Sequence, residues 1–132
     1  MQELVDIITS KLGIKSELAE KAIGIILKML KSEGPSDKVD ELLTALPGAE
    51  DLISKVSNGG ARSGGGLVGL ISGALGGSGA LMETLSELQS EGLDIDQSKS
   101  IGLEVLAFAK EKASEDLVKE IADSIPGLSQ FV

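Results

Sequence analysis

Three features of this 132-residue sequence predict an all-α fold. Apolar residues recur at helical spacing along nearly the whole chain. No run alternates apolar and polar residues as a strand would, and no hairpin turn signal occurs. Glycine or proline falls where each periodic stretch ends, which is where such residues stop helices. The architecture predicted is a multi-helix bundle in one domain, residues 1–132, made of two similar helical halves around a central glycine-rich helix.

The elements follow in order. Leu4, Ile7, Ile8 and Leu12 mark a first amphipathic helix, with Gly13 as its C-terminal cap. Ser16 is placed to cap a second helix that runs to about Lys31. Its Leu18, Ala22, Ile23, Ile25, Ile26, Leu27, Met29 and Leu30 make it apolar around most of its circumference, the mark of a buried helix. Gly34-Pro35 breaks the chain, and Ser36 can cap a third helix carrying Val39, Leu42, Leu43 and Leu46. Pro47-Gly48 ends it, and a short helical turn from Ala49 to Val56 completes a first half, residues 1–56. Residues 57–66 (SNGGARSGGG) read as a flexible linker. A glycine-zipper helix takes residues 67–80, and a second half takes 81–132. That half begins with a helix to about Ser90, stopped by Gly92. Asp94 or Asp96 then caps a long helix to about Lys112, and Ser114 caps the last one, which ends at Pro126-Gly127.

The halves align without a gap. Displaced by 79 residues, Gly13–Ile53 lies over Gly92–Val132 with eight of 41 positions identical. Leu46-Pro47-Gly48 and Ile125-Pro126-Gly127 fall in register, as do Leu27/Leu106, Val39/Val118 and Glu41/Glu120. This pseudo-repeat, 13–53 and 92–132, predicts that the two halves bury their apolar faces against each other around the glycine-rich helix.

Composition narrows the function. The aromatic share is 2%, Phe108 and Phe131 alone, so the core is aliphatic. Cysteine and histidine are absent, which removes disulfides, thiolate chemistry and the commonest general base. Net charge is −9 and uneven: residues 1–62 carry −2 and residues 63–132 carry −7. Such a surface repels nucleic acid and anionic membranes. Lys11, Lys15, Lys21, Lys28 and Lys31 are interleaved with Glu17 and Glu20 and read as a solvated helix face. The N-terminal MQELVDIITSKLG lacks the basic start and unbroken apolar run of a signal peptide, which suggests a cytoplasmic protein.

The stretches ELVDIITSKLGI, SELAEKAIGIILKMLK and LLTALPGAEDL, followed by the Gly/Leu-rich run, resemble the bacterial VcgC/VcgE-like family of unknown function. A more distant similarity is to the YidB-like proteins, through the Gly–Leu runs and the Leu-Pro-Gly stop. The resemblance rests most on Leu12-Gly13-Ile14 and Ala45-Leu46-Pro47-Gly48-Ala49. It implies an all-helical fold and, among YidB-like proteins, a homeodomain-like arrangement. It implies no activity. DNA reading would need a basic recognition helix, whereas the last helices here carry Glu104, Glu111, Glu115, Asp116, Glu120 and Asp123.

The candidate site is the segment Gly64–Met82, which carries no charge and places Gly65, Gly69, Gly73 and Gly77 at fourfold spacing. At ~1 kcal/mol per interior glycine relative to alanine, such a stripe weakens a helix, but it lets another helix approach backbone to backbone. Leu67, Leu70 and Ile71 would supply the apolar cover. The stripe has three readings: packing within the domain, packing between copies, or insertion into a membrane. The uncharged window 63–82 is long enough to span a bilayer, yet it holds eight glycines and three serines and is a poor inserter.

The other candidates are weaker. Gly64-Gly65-Gly66 lacks the Lys-Ser or Lys-Thr of a phosphate loop, with Arg62 the nearest cation. Glu91, Asp94 and Asp96 crowd a turn, but they fit helix capping better than a calcium loop. Ser54-Lys55 and Ser98-Lys99 point about 100° apart on a helix and are not preassembled nucleophile–base pairs. Asp40 and Glu41 lie on a wet helix face. No cofactor or metal is predicted. The reading is therefore a non-enzymatic structural or interaction protein that can self-associate through the zipper. The alternatives are a membrane-associated helical protein using residues 63–82, and an acidic regulatory module for a basic protein partner.

Overall fold

Glycine turns, two capped starts and one apolar helix set the chain path. The computed structural model describes residues 2–60 and 78–125, and within them the side chains of 2–56 and 84–125. Among these residues the chain forms seven helices and no strand: α1 (Gln2–Leu12), α2 (Ser16–Glu33), α3 (Ser36–Ala45), α4 (Ala49–Gly60), α5 (Ser78–Ser90), α6 (Ile95–Lys112) and α7 (Glu115–Ser124). The protein is an all-α helical bundle.

The starts of α6 and α7 follow the sequence. The Asp94 side chain accepts from the Gln97 N–H at 2.7 Å, while the Gln97 side chain accepts from the Asp94 N–H at 3.1 Å, a reciprocal capping box. The Ser114 hydroxyl oxygen accepts from the Leu117 N–H at 3.1 Å. Ser16 and Ser36 do not cap. Each is the first helical residue, Lys15 and Pro35 occupy the cap positions in extended conformation, and no side chain bonds the helix start there. Helix α4 also outruns the short turn expected. With Leu52 and Ile53 buried and Val56 partly buried, its apolar stripe is held on α2, and it continues through residues 57–60 of the expected linker.

The helix bounds repeat at the same 79-residue displacement that aligns the sequence. It carries α2 onto α6, both 18 residues long, and α3 onto α7, both 10 residues long. It also matches the left-handed turn at Gly13, φ 67°, with that at Gly92, φ 104°. The packing is reciprocal: α1 packs on α6, α5 packs on α2, and α2 meets α6 as α3 meets α7. The first helix of each half therefore rests on the long helix of the other.

Burial makes the correspondence finer. The buried positions of α6 are Ser98, Ile101, Val105, Leu106, Phe108 and Ala109. Their counterparts on α2, Ala19, Ala22, Ile26, Leu27, Met29 and Leu30, are all buried as well. Helix α2 adds Ile23, Gly24 and Ile25; of these Gly24 lies against α4, which α2 alone carries, while Ile25 lines the cleft towards α5. A Cβ at Gly24 would stand 2.5 Å from the Leu52 carbonyl oxygen and 3.2 Å from a Val56 methyl group, so only glycine lets α4 come this close.

Ion pairs lie around this core at the surface. Lys11 pairs with Glu104, and Lys112 pairs with Glu3 at 3.3 Å, which fixes α1 antiparallel to α6. Lys55 of α4 reaches Glu20 of α2 at 3.4 Å, and Lys38 of α3 reaches Glu120 of α7 at 3.0 Å. The hydrogen bond and charge of Glu120 raise the Lys38 pKa above the ordinary lysine value. The pairing therefore favours the fold below that ordinary value, and its contribution is lost as pH rises through the raised one.

Two glycine substitutions should then act in opposite directions. Gly24→Ala gains helix propensity but meets the α4 backbone, so the unfolding free energy should fall by about 1–3 kcal/mol. Gly102→Ala, at a helical site with nothing within 4 Å of the added Cβ, should raise it by about 0.5–1 kcal/mol. Urea unfolding followed by far-ultraviolet circular dichroism measures both. A rise in stability for Gly24→Ala would contradict the α4 contact.

Candidate functional site

The zipper residues Gly65, Gly69, Gly73 and Gly77, with Leu67, Leu70 and Ile71, lie outside the described residues. What the structure places are the two ends from which that segment departs. Helix α4 lies on α2 with Val56 and Lys55 beside Gly24 and Glu20, near the start of α2. Helix α5 lies on α2 with Thr84 and Glu87 beside Ile25, Lys28, Met29, Ser32 and Glu33, towards the end of α2. Lys21 and Glu91, 3.4 Å apart, fix the other end of α5, so this helix runs antiparallel to α2. The segment 61–77 thus joins two helices that are both anchored on α2.

The α2–α5 seam forms a shallow cleft of about 90 Å³. That is room for roughly three waters and far below the ~300 Å³ at which small-molecule sites begin. Its polar lining, Lys28, Ser32, Glu33 and Glu87, is typical of a solvated helix junction.

The weaker candidates resolve into structural roles. Ser98 is buried and its hydroxyl donates to the Asp94 carbonyl at 2.9 Å, one helical turn back, while Lys99 is exposed. Lys55 is engaged with Glu20 rather than with Ser54. Glu91 turns to Lys21 and Asp94 caps α6, so the acidic turn does not converge, and no group of three metal-ligating side chains occurs among the described residues. Asp40 and Glu41 are exposed. No described helix is long and apolar enough to cross a membrane.

Two features escaped the sequence reading. One is α4 as the main partner of α2, signalled only by a glycine inside an otherwise apolar helix. The other is Leu103, exposed where its counterpart Gly24 is covered. The aligned pair Gly24/Leu103 held that signal.

No protein-family model, curated protein or solved structure matches the chain.

The acidic turn is directly testable. Asp94→Ala removes the capping box and should lower stability by about 1 kcal/mol, while millimolar calcium should leave the melting curve of the unaltered protein in place. A calcium-dependent rise in melting temperature would overturn the capping role.

Proposed function

We propose that this is a non-catalytic helical interaction protein that self-associates through its glycine-rich segment. The observation that carries the reading is the placement of that segment. It is inserted between α4 and α5, two helices docked on the same central helix, and it is uncharged from Ser63 to Met82. The described helices commit their large side chains, apart from the exposed Ile7, Ile95 and Leu103, to one hydrophobic cluster. The stripe Gly65, Gly69, Gly73 and Gly77 offers a different kind of contact, one in which small residues let two backbones meet. The resemblance to the all-helical YidB-like proteins fits this reading at the level of fold and adds no chemistry to it.

The test is absolute mass by light scattering with refractive-index detection, since the chain has no Trp or Tyr to absorb at 280 nm. The unaltered protein should exceed the 13.6 kDa monomer as concentration rises. Gly69→Leu and Gly73→Leu should shift the mass back to the monomer, a loss of about 1–3 kcal/mol or more through overpacking. Lys21→Ala should leave it unchanged. A monomer at every concentration would end the reading. Co-sedimentation with phospholipid vesicles would then assign the segment to a membrane surface, and salt-sensitive capture of a basic protein would assign the role to the acidic half.

A further inference from the structure

Helix α6 keeps one face to solvent. Asp96, Leu103 and Lys110 recur every seven residues there, so they fall in one line along the helix. Asp96 and Leu103 are exposed, Lys110 is half-buried, and Ala107, one turn beyond Leu103, is exposed as well. Leu103 is among the few large hydrophobic side chains left exposed, at 46%. Beside it Gly102 leaves a gap, since nothing lies within 4 Å of a Cβ placed there. An apolar side chain thus stands next to open space in the middle of the line.

The charges of this face are not paired within the fold. None of the ion pairs among the described residues engages Asp96, Lys99 or Lys110. Those three charges sum to +1, on a chain whose net charge is −9. The face can therefore meet its own copy without the repulsion that the acidic surface imposes elsewhere. It is also self-complementary. Turned end for end about Leu103, the line exchanges Asp96 with Lys110, because each stands seven residues from the centre. Two such helices packed antiparallel bring Leu103 against the partner's Leu103, and Asp96 against the partner's Lys110 at both ends. A parallel pair would instead oppose Asp96 to the partner's Asp96 and Lys110 to the partner's Lys110. The small side chains of Gly102 and Ala107 let the two helices close on the leucines.

We propose that the exposed face of α6 pairs antiparallel with the same face of a second copy, about a two-fold axis at Leu103. The ion pairs at its ends are exposed, so they set direction more than strength. One helix on one helix buries less than the ~1,200 Å² at which stable interfaces begin, which makes this a weak, transient contact. It is separate from the zipper and does not rest on it.

Cross-linking traps such a contact. The chain has no cysteine, so Leu103→Cys introduces a single thiol at the axis. There the partner's thiol is within disulfide reach, which requires Cα atoms within about 7 Å. Under mild oxidation the linked dimer should form faster from Leu103→Cys than from Ser86→Cys, an exposed control on α5. Adding Asp96→Lys to Leu103→Cys should slow linking about tenfold, and adding Lys110→Asp as well should restore it. Far-ultraviolet circular dichroism should be the same throughout. Gly69→Leu with Gly73→Leu should leave the linking in place, even where those changes abolish association through the zipper. Equal rates from Leu103→Cys and Ser86→Cys would overturn the proposal, as would a charge reversal without effect or without rescue. Linking lost in the zipper variants would also overturn it, since Leu103 would then meet its copy only by way of the glycine-rich segment.

Discussion

The described fold is arranged around the burial of the middle of α2, from Ala22 to Leu27, by its neighbours. Helices α1, α3, α4, α5 and α6 pack on it, and between Ala19 and Leu30 only Glu20, Lys21 and Lys28 are not buried. A helix with this many neighbours has a much wider apolar face than an ordinary amphipathic one, with Lys21 and Lys31 left to solvent. Close approach on one side requires a residue without a side chain. Gly24 supplies it and weakens the helix by ~1 kcal/mol relative to alanine. In return Leu52 and Ile53 are buried against α2, each contributing ~1.5–3 kcal/mol. The balance favours the contact, which is why a glycine stands among the buried residues of α2. The ion pairs around the rim are exposed and set direction more than stability.

The second constraint is that neither half closes on itself. Because α1 lies on α6 and α5 lies on α2, Leu4, Val5 and Ile8 complete a core begun by the other half. The Lys11–Glu104 pair joins residues 93 apart in sequence. Long-range closure of this kind is entropically demanding. It also leaves the segment between them topologically special. Residues 61–77 connect the halves and depart from helices already committed to α2.

The sequence was most legible where local chemistry decides. Helical periodicity, the turns at Gly13 and Gly92, and the caps at Asp94 and Ser114 all act over three or four residues, and they could be read directly. Aligned apolar positions such as Leu27/Leu106 and Val39/Val118 are buried in both stretches. What could not be read was set by tertiary packing. Ser16 and Ser36 have the chemistry of N-caps, but the helices begin at them rather than after them, with Lys15 and Pro35 in the cap positions. Helix α4 carries SNGG at its end, a poor helix former, and still extends through it while its apolar stripe is held on α2. The candidate site was legible only as a stripe of glycines, because small residues announce close contact without naming the partner.

The departures from the repeat are as informative as its matches. The six positions buried on both α2 and α6 keep apolar or small side chains, as the shared interface demands. Change concentrates where the neighbours differ. Ile23-Gly24-Ile25 becomes Gly102-Leu103-Glu104, and the third of these now serves the ion pair to Lys11 of α1. Lys15 and Pro35 become Asp94 and Ser114, which gives the second half side-chain caps that the first half lacks. Caps matter most to helices with less tertiary support, and α6 buries one stripe where α2 is enclosed. The first half thus holds its long helix chiefly by packing, the second more by its ends. An acidic excess concentrated after residue 62 adds charge to the half with the more exposed helix. The two aligned stretches thus differ in charge, in capping and in the exposure of Leu103 against the covered Gly24.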